Sequence, residues 1–139
     1  MKRQIFKLTV LFLLGGISYT FVEIAYRGTT HWTMILVGGI CFVLIGVQNE
    51  IYARDAPLML QCIIGALIVT VIEFIAGCII NILLGWHVWD YSGLPYNLSG
   101  QICLLFSIFW LFLSLPAIIL DDYLRYWLFG EERPQYTLF

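Results

Sequence analysis

Glu73 stands deep inside a long apolar run, with Cys62-Ile63-Ile64-Gly65 before it and Cys78-Ile79-Ile80 after it. A carboxylate at the centre of a bilayer costs about 2.5–3.5 kcal/mol on insertion scales, so it needs a role or a partner. Two chemistries fit: capture of a proton, cation or ligand, or a structural hydrogen bond to threonine or backbone inside a helix bundle. Glu23 precedes Arg27 by one helical turn, a spacing at which opposite charges attract. That pair could keep both groups ionised at a dry mouth, or simply seat its helix at an interface. Asn81 falls on the same helical stripe as Glu73, since Ala66, Thr70, Glu73, Gly77 and Asn81 repeat at helical intervals. Gly16, Thr20, Glu23 and Arg27 form a matching stripe.

A second group of candidates lies between apolar runs. His31, His87, Trp89, Asp90 and Asn97 are polar or aromatic residues able to meet water, protons or a ligand. The histidines have no carboxylate at a spacing that defines a site, so solvated or backbone-bonded rings are the expectation. Cys41, Cys62, Cys78 and Cys103 form no CxxC or other metal-ligand spacing and read as small hydrophobes. No catalytic residue, metal site or cofactor is expected.

The elements that must position these residues follow from composition. Hydrophobic residues make up 61% of the 139, charged residues only 12%, and mean hydropathy is +0.91. A chain of this size has too little interior to hide that much apolar surface from water. A water-soluble enzyme, a nucleic-acid binder and a disordered chain are excluded, the second also because the basic residues form no stripe. The class that remains is an all-α, polytopic membrane protein with the lipid bilayer as its first partner. A bilayer core of about 30 Å takes about 20 helical residues. The runs predict four spans, near 8–26, 32–47, 57–84 and 99–120, in a single domain over 1–139. Pro116 should disturb the fourth. A loop over 85–98 and a tail over 121–139 follow from the same runs, with 123–129 read as a short amphipathic interfacial turn or helix.

Lys and Arg set the expected orientation. With both termini inside, Lys2, Arg3, Lys7, Arg54, Arg125 and Arg133 lie on the inner side and only Arg27 on the outer. The 85–98 loop then faces out, carrying Trp86, Trp89, Tyr91 and Tyr96 at headgroup level. Its length is unusual for a bundle connection and suits a lid over the outer mouth.

The spans also match in pairs. Gly15, Gly16, Thr20 and Glu23 align with Gly65, Ala66, Thr70 and Glu73, and Gly38, Ile40 and Cys41 with Gly100, Ile102 and Cys103. Two tandem helical hairpins related as a parallel internal repeat are the simplest account. Small and polar stripes allow close backbone approach in lipid, so a tight bundle with both glutamates turned inward is expected.

The polar signature carries a family resemblance. Glu23, Tyr26-Arg27-Gly28, His31-Trp32, Met34, Gly38-Gly39, then Trp89-Asp90-Tyr91-Ser92, Pro95, Asn97 and Gly100 resemble the type IV ABC-transporter permease family, the CmpB-like membrane proteins. The resemblance covers nearly the whole chain and implies a bacterial inner-membrane protein with a permease role. No GxxxxGK[ST] occurs, so an ATPase would be another chain. Four spans are few for a complete path, which implies an oligomer or a membrane partner. Beside the transport subunit stand a structural or regulatory membrane protein without a path and, third, a lipid-acting enzyme using His31, His87 and Asp90. A water-filled route to Glu73 would favour the first, and a close His–Asp geometry the third.

Overall fold

The computed structural model describes residues 1–51 and 56–139. Helix α1, Lys2–Arg27, stops at Gly28, whose left-handed φ of 76° lets its N–H turn back to the Ile24 carbonyl. Helix α2, Trp32–Ile51, follows after a short connection. Helix α3, Leu58–Gly77, starts just after Pro57 and widens into a π-helical turn over Cys78–Leu83. A small hairpin pairs β1, Asn97–Leu98, with β2, Ile102–Cys103. Helix α4, Leu104–Phe129, ends at Gly130, also left-handed.

Lys2–Arg27, Leu58–Leu83 and Leu104–Phe129 are long and apolar enough to cross a bilayer, and Trp32–Gln48 is a shorter apolar helix. The burial pattern is that of a membrane protein. Phe21, Leu67 and Phe112 are largely exposed, while Gln48, Glu73, Ser114 and Asp121 are buried. Lipid solvates the apolar exterior, and polar groups must find partners inside.

The helices form two antiparallel hairpins, α1 with α2 and α3 with α4. In the first, the backbones nearly touch. A Cβ on Gly39 would stand 2.7 Å from the Phe12 carbonyl oxygen, and one on Gly16 would collide with the Ile35 carbonyl. In the second, Gly65 gives room to Ser114, and across the hairpins Gly46 gives room to Asp121. α1 and α4 touch only sparsely.

At the end that carries both termini, charges tie the hairpins together. Lys7 of α1 pairs with Glu50 of α2 at 3.0 Å and with Glu131 of the tail. Glu50 also pairs with Arg125 of α4, which holds Asp121 one turn earlier at 2.5 Å. The tail lies along this end: the Leu58 and Met59 amides donate to the Thr137 and Leu138 carbonyls, and the Tyr136 hydroxyl donates to Asp122. Arg54 belongs to this end by sequence but lies outside the described residues.

Some expected boundaries move. The fourth helix begins at Leu104 rather than near 99 because residues 97–103 spend their backbone hydrogen bonds in the hairpin, with Gly100 at φ 70° in its turn. The helix also continues past 120 to Phe129. Asp121 does not stop it, because that carboxylate is buried against Arg125, and the expected interfacial helix at 123–129 is the last part of α4. The second half of the repeat therefore sets the helical Gly38, Ile40 and Cys41 against the turn and strand residues Gly100, Ile102 and Cys103.

Burial opposes ionisation of Glu50, but its hydrogen bond to Lys7 and the nearby Arg125 and Lys7 charges outweigh it and hold its pKa below the ordinary value. The folded-state value lies below the unfolded one. The stabilisation is therefore complete above the ordinary glutamate pKa of about 4.3 and is lost as pH falls through the depressed value. Protein purified in detergent should melt lower under acid than near neutrality, and Glu50→Gln should remove part of that difference; an unchanged pH dependence would show the clamp to be idle. Separately, Gly39→Ala should cost about 1–3 kcal/mol by forcing α1 off α2, read as a lower melting temperature.

Candidate functional site

Glu73 sits midway along the α3 span with only 5% of its surface exposed. Both its oxygens accept hydrogen bonds: Oε1 from the Tyr91 hydroxyl at 2.8 Å and Oε2 from Trp110 Nε1 at 2.8 Å. Among the described residues no basic side chain pairs with it. Trp110 belongs to α4, on the stripe of small and polar residues that faces α3. Tyr91 reaches the carboxylate from the loop between the π-turn and β1. Its ring stacks on Phe106, with centroids 4.6 Å apart, and its amide donates to the Gly100 carbonyl at 2.8 Å. The loop thus folds down into the bundle.

Two cavities that share part of their lining lie beside this carboxylate and its donors. One, of about 180 Å³, has Glu73, Tyr19 and Trp110 in its wall, together with residues of α2. The other, of about 290 Å³, shares Tyr19, Met34 and Trp110 with the first and adds Glu23, Arg27, Trp89, Tyr91 and Phe106. Both lie along the seam where α1 and α4 part. Together they make a crevice with Glu73 in the wall of the smaller cavity and the Glu23–Arg27 pair in the wall of the larger.

Glu23 is buried, and both its oxygens are engaged, one by Arg27 at 2.6 Å and one by the Thr30 hydroxyl at 2.9 Å. Arg27 also reaches the Val88 carbonyl at 3.3 Å. Asn81 is not in the crevice. Its amide donates to Gln101 Oε1 at 2.9 Å and its oxygen accepts from the Val88 amide at 2.8 Å, so it anchors the loop to the π-turn. Trp89 is equally structural in its contacts: it is buried, and its indole donates to the Gln101 carbonyl at 3.0 Å.

The remaining loop residues shape the loop itself. Asn97 bonds the Leu94 carbonyl and the Gly100 amide. Asp90 accepts from the Ser92 amide at 2.8 Å, and that bond holds its pKa below the ordinary carboxylate value, with a smaller contribution from the His87 charge. His31 bonds the Thr33 hydroxyl at 2.8 Å between the rings of Trp32 and Trp86. Its hydrogen bonds do not reach Asp90, so the loop's polar residues do not assemble around one point. The residues that sequence reading missed are Tyr19, Tyr91, Gln101 and Trp110. Tyr91 was visible in the aromatic loop, but nothing local ties it or Trp110 to Glu73.

A family model described as "Putative ABC-transporter type IV", the CmpB-like proteins, matches residues 12–127. The chain belongs to this family. The match takes in α2 and α3 whole, most of α1 and α4, and every residue of the crevice named above. Searches of curated proteins and of solved structures find no match. The family assignment and the apolar helices together make the chain a multi-pass membrane protein related to transport.

Tyr91→Phe removes one of the two donors to Glu73 and should cost about 1–3 kcal/mol, read as a lower melting temperature in detergent. Tyr96→Phe, at a position 82% exposed, is the control and should melt like the wild type. Equal melting of both variants would show that the Tyr91 bond contributes nothing.

Proposed function

We propose that this chain is the membrane-spanning permease subunit of an ABC-type transporter and that the α1–α4 crevice contacts the substrate. The observation that carries the reading is Glu73: a mid-span carboxylate without a basic partner among the described residues, in the wall of a cavity, in a chain of a transporter family. A purely structural carboxylate is more economically replaced by an apolar side chain, since the insertion cost then vanishes. ATP hydrolysis belongs to a separate ATPase subunit. Four helices leave the crevice open on one side, which suits assembly with a second copy or another membrane subunit.

The orientation proposed is both termini in the cytoplasm of a bacterial inner membrane, supported by the excess of Lys and Arg at the termini end. The charged clamp and tail then face the side where an ATPase would dock. Labelling of a cysteine placed in the 85–98 loop, in a variant without its native cysteines, should succeed from outside intact cells. Labelling from the cytoplasmic side alone would reverse the assignment.

A second reading also has an observation behind it. Both Glu73 oxygens are already bonded, as a lock between α3, α4 and the loop would require. Glu73→Gln separates the two. The amide keeps an acceptor and most of the shape, so the fold should survive in either case. If Glu73 serves transport, substrate-stimulated ATPase activity of the chain co-reconstituted with its ATPase subunit should be abolished by Glu73→Gln. Unchanged coupling would leave the structural role alone.

A further inference from the structure

We infer that the α1–α4 crevice is a binding site for a lipophilic monovalent cation; this deepens the transport reading of the same crevice and rests on it. Charge comes first. Of the two glutamates in the crevice wall, Glu23 is matched by Arg27 at 2.6 Å, and Glu73 has no basic partner among the described residues. Both hydrogen-bond partners of Glu73, a hydroxyl and an indole N–H, are able to donate, so an ionised carboxylate can be accommodated there. When Glu73 ionises, the unmatched charge beside the cavity is negative. Among the described residues an anionic ligand has no free cation to meet there, since the Arg27 guanidinium is held by Glu23 and the Val88 carbonyl.

The walls decide what kind of cation. Tyr19 and Trp110 stand with ring centroids 6.0 Å apart, and Tyr91 and Phe106 are stacked, all four lining the larger cavity. Ring faces attract a cation that carries little hydration of its own, as organic ammonium and phosphonium ions do. A hydrated metal ion needs several oxygen ligands, and one carboxylate among aromatic rings does not supply them. The rim adds direction. Phe112 of α4 also lines the larger cavity and is 69% exposed, so the crevice opens toward the bilayer's apolar interior. A ligand reaching it from lipid must be apolar over most of its surface. Cavities of about 290 and 180 Å³ admit a body of that kind rather than a bare ion.

The experiment uses the full chain purified in detergent, with tetraphenylphosphonium as the probe and neutral triphenylphosphine oxide as its uncharged comparison. Quenching of tryptophan fluorescence reports binding, since Trp89 and Trp110 line the crevice. Tetraphenylphosphonium should bind saturably and at least about tenfold more tightly than the neutral compound. Glu73→Gln should erase about that tenfold preference, and Phe106→Ala, which removes a ring face from the larger cavity and the stacking partner of Tyr91, should weaken the cation. Equal binding of cation and neutral compound, no binding, or an unaffected Glu73→Gln variant would overturn the inference. If Glu73→Gln melts well below the wild type, protection of native Glu73 from dicyclohexylcarbodiimide by tetraphenylphosphonium reads the same contact. Protection is expected, and labelling that the cation does not slow would overturn the inference. Loss of ATPase coupling in Glu73→Gln without any cation preference would defeat this inference and leave the transport reading standing. Cation preference without ATPase coupling would do the reverse.

Discussion

A carboxylate halfway through a bilayer has to find its hydrogen bonds inside the protein, because lipid offers none. Glu73 finds them in Tyr91 and Trp110, and much of the architecture follows from that requirement. Tyr91 can reach only if the loop folds down into the bundle. The loop can fold down only if its own backbone is satisfied, which the Asn81–Gln101 pair, the Trp89 indole bond and the β1–β2 hairpin accomplish. The π-turn at Cys78–Leu83 ends α3 beneath the loop and places Asn81 where it meets the Val88 amide.

The opposite end is held by different physics. There the Lys7–Glu50–Arg125–Asp121 chain joins three helices through charge, with Glu50 partly exposed and the other three side chains buried. Between the two ends the helices meet through small residues. Gly16 and Gly39 bring α1 against α2, and Gly65 lets α4 close on α3. No such small-residue contact joins α1 to α4. The facing residues there are Tyr19, Val22, Trp110 and Leu113, and their bulk holds the helices apart. The crevice is what remains when two tightly closed hairpins are clamped at their ends but not along their free edges.

If the chain is the transport subunit proposed above, that arrangement suits work by a change in helix separation. The clamp and tail at the termini end touch α1, α2, α3 and α4 together, so a force applied there would reach both hairpins. The crevice lies along the edge where the hairpins are least constrained. A partner acting on the charged end and a ligand held beside Glu73 would thus sense the same relative movement.

Composition alone determined that this chain lives in a membrane, because the apolar surface of a 139-residue chain cannot be buried any other way. Helical spacing determined that the Glu23, Arg27 and Glu73 side chains fall on stripes with small residues, and the i, i+4 interval made Glu23 and Arg27 partners, which meet at 2.6 Å. These are local properties, set by the pitch of one helix. The start of α4 was not legible, since the apolar residues from Ile102 onward suit strand and helix alike until the hairpin claims their backbone bonds. Nor was the length of α4, because Asp121-Asp122 looks like a polar stop until Arg125 neutralises one of them. The partners of Glu73 were decided by tertiary structure alone. Tyr91 is 18 and Trp110 37 residues away, and no periodicity relates a loop tyrosine to a mid-span glutamate. Only the packing of α4 on α3, with the loop folded between them, brings both donors within 2.8 Å of one carboxylate.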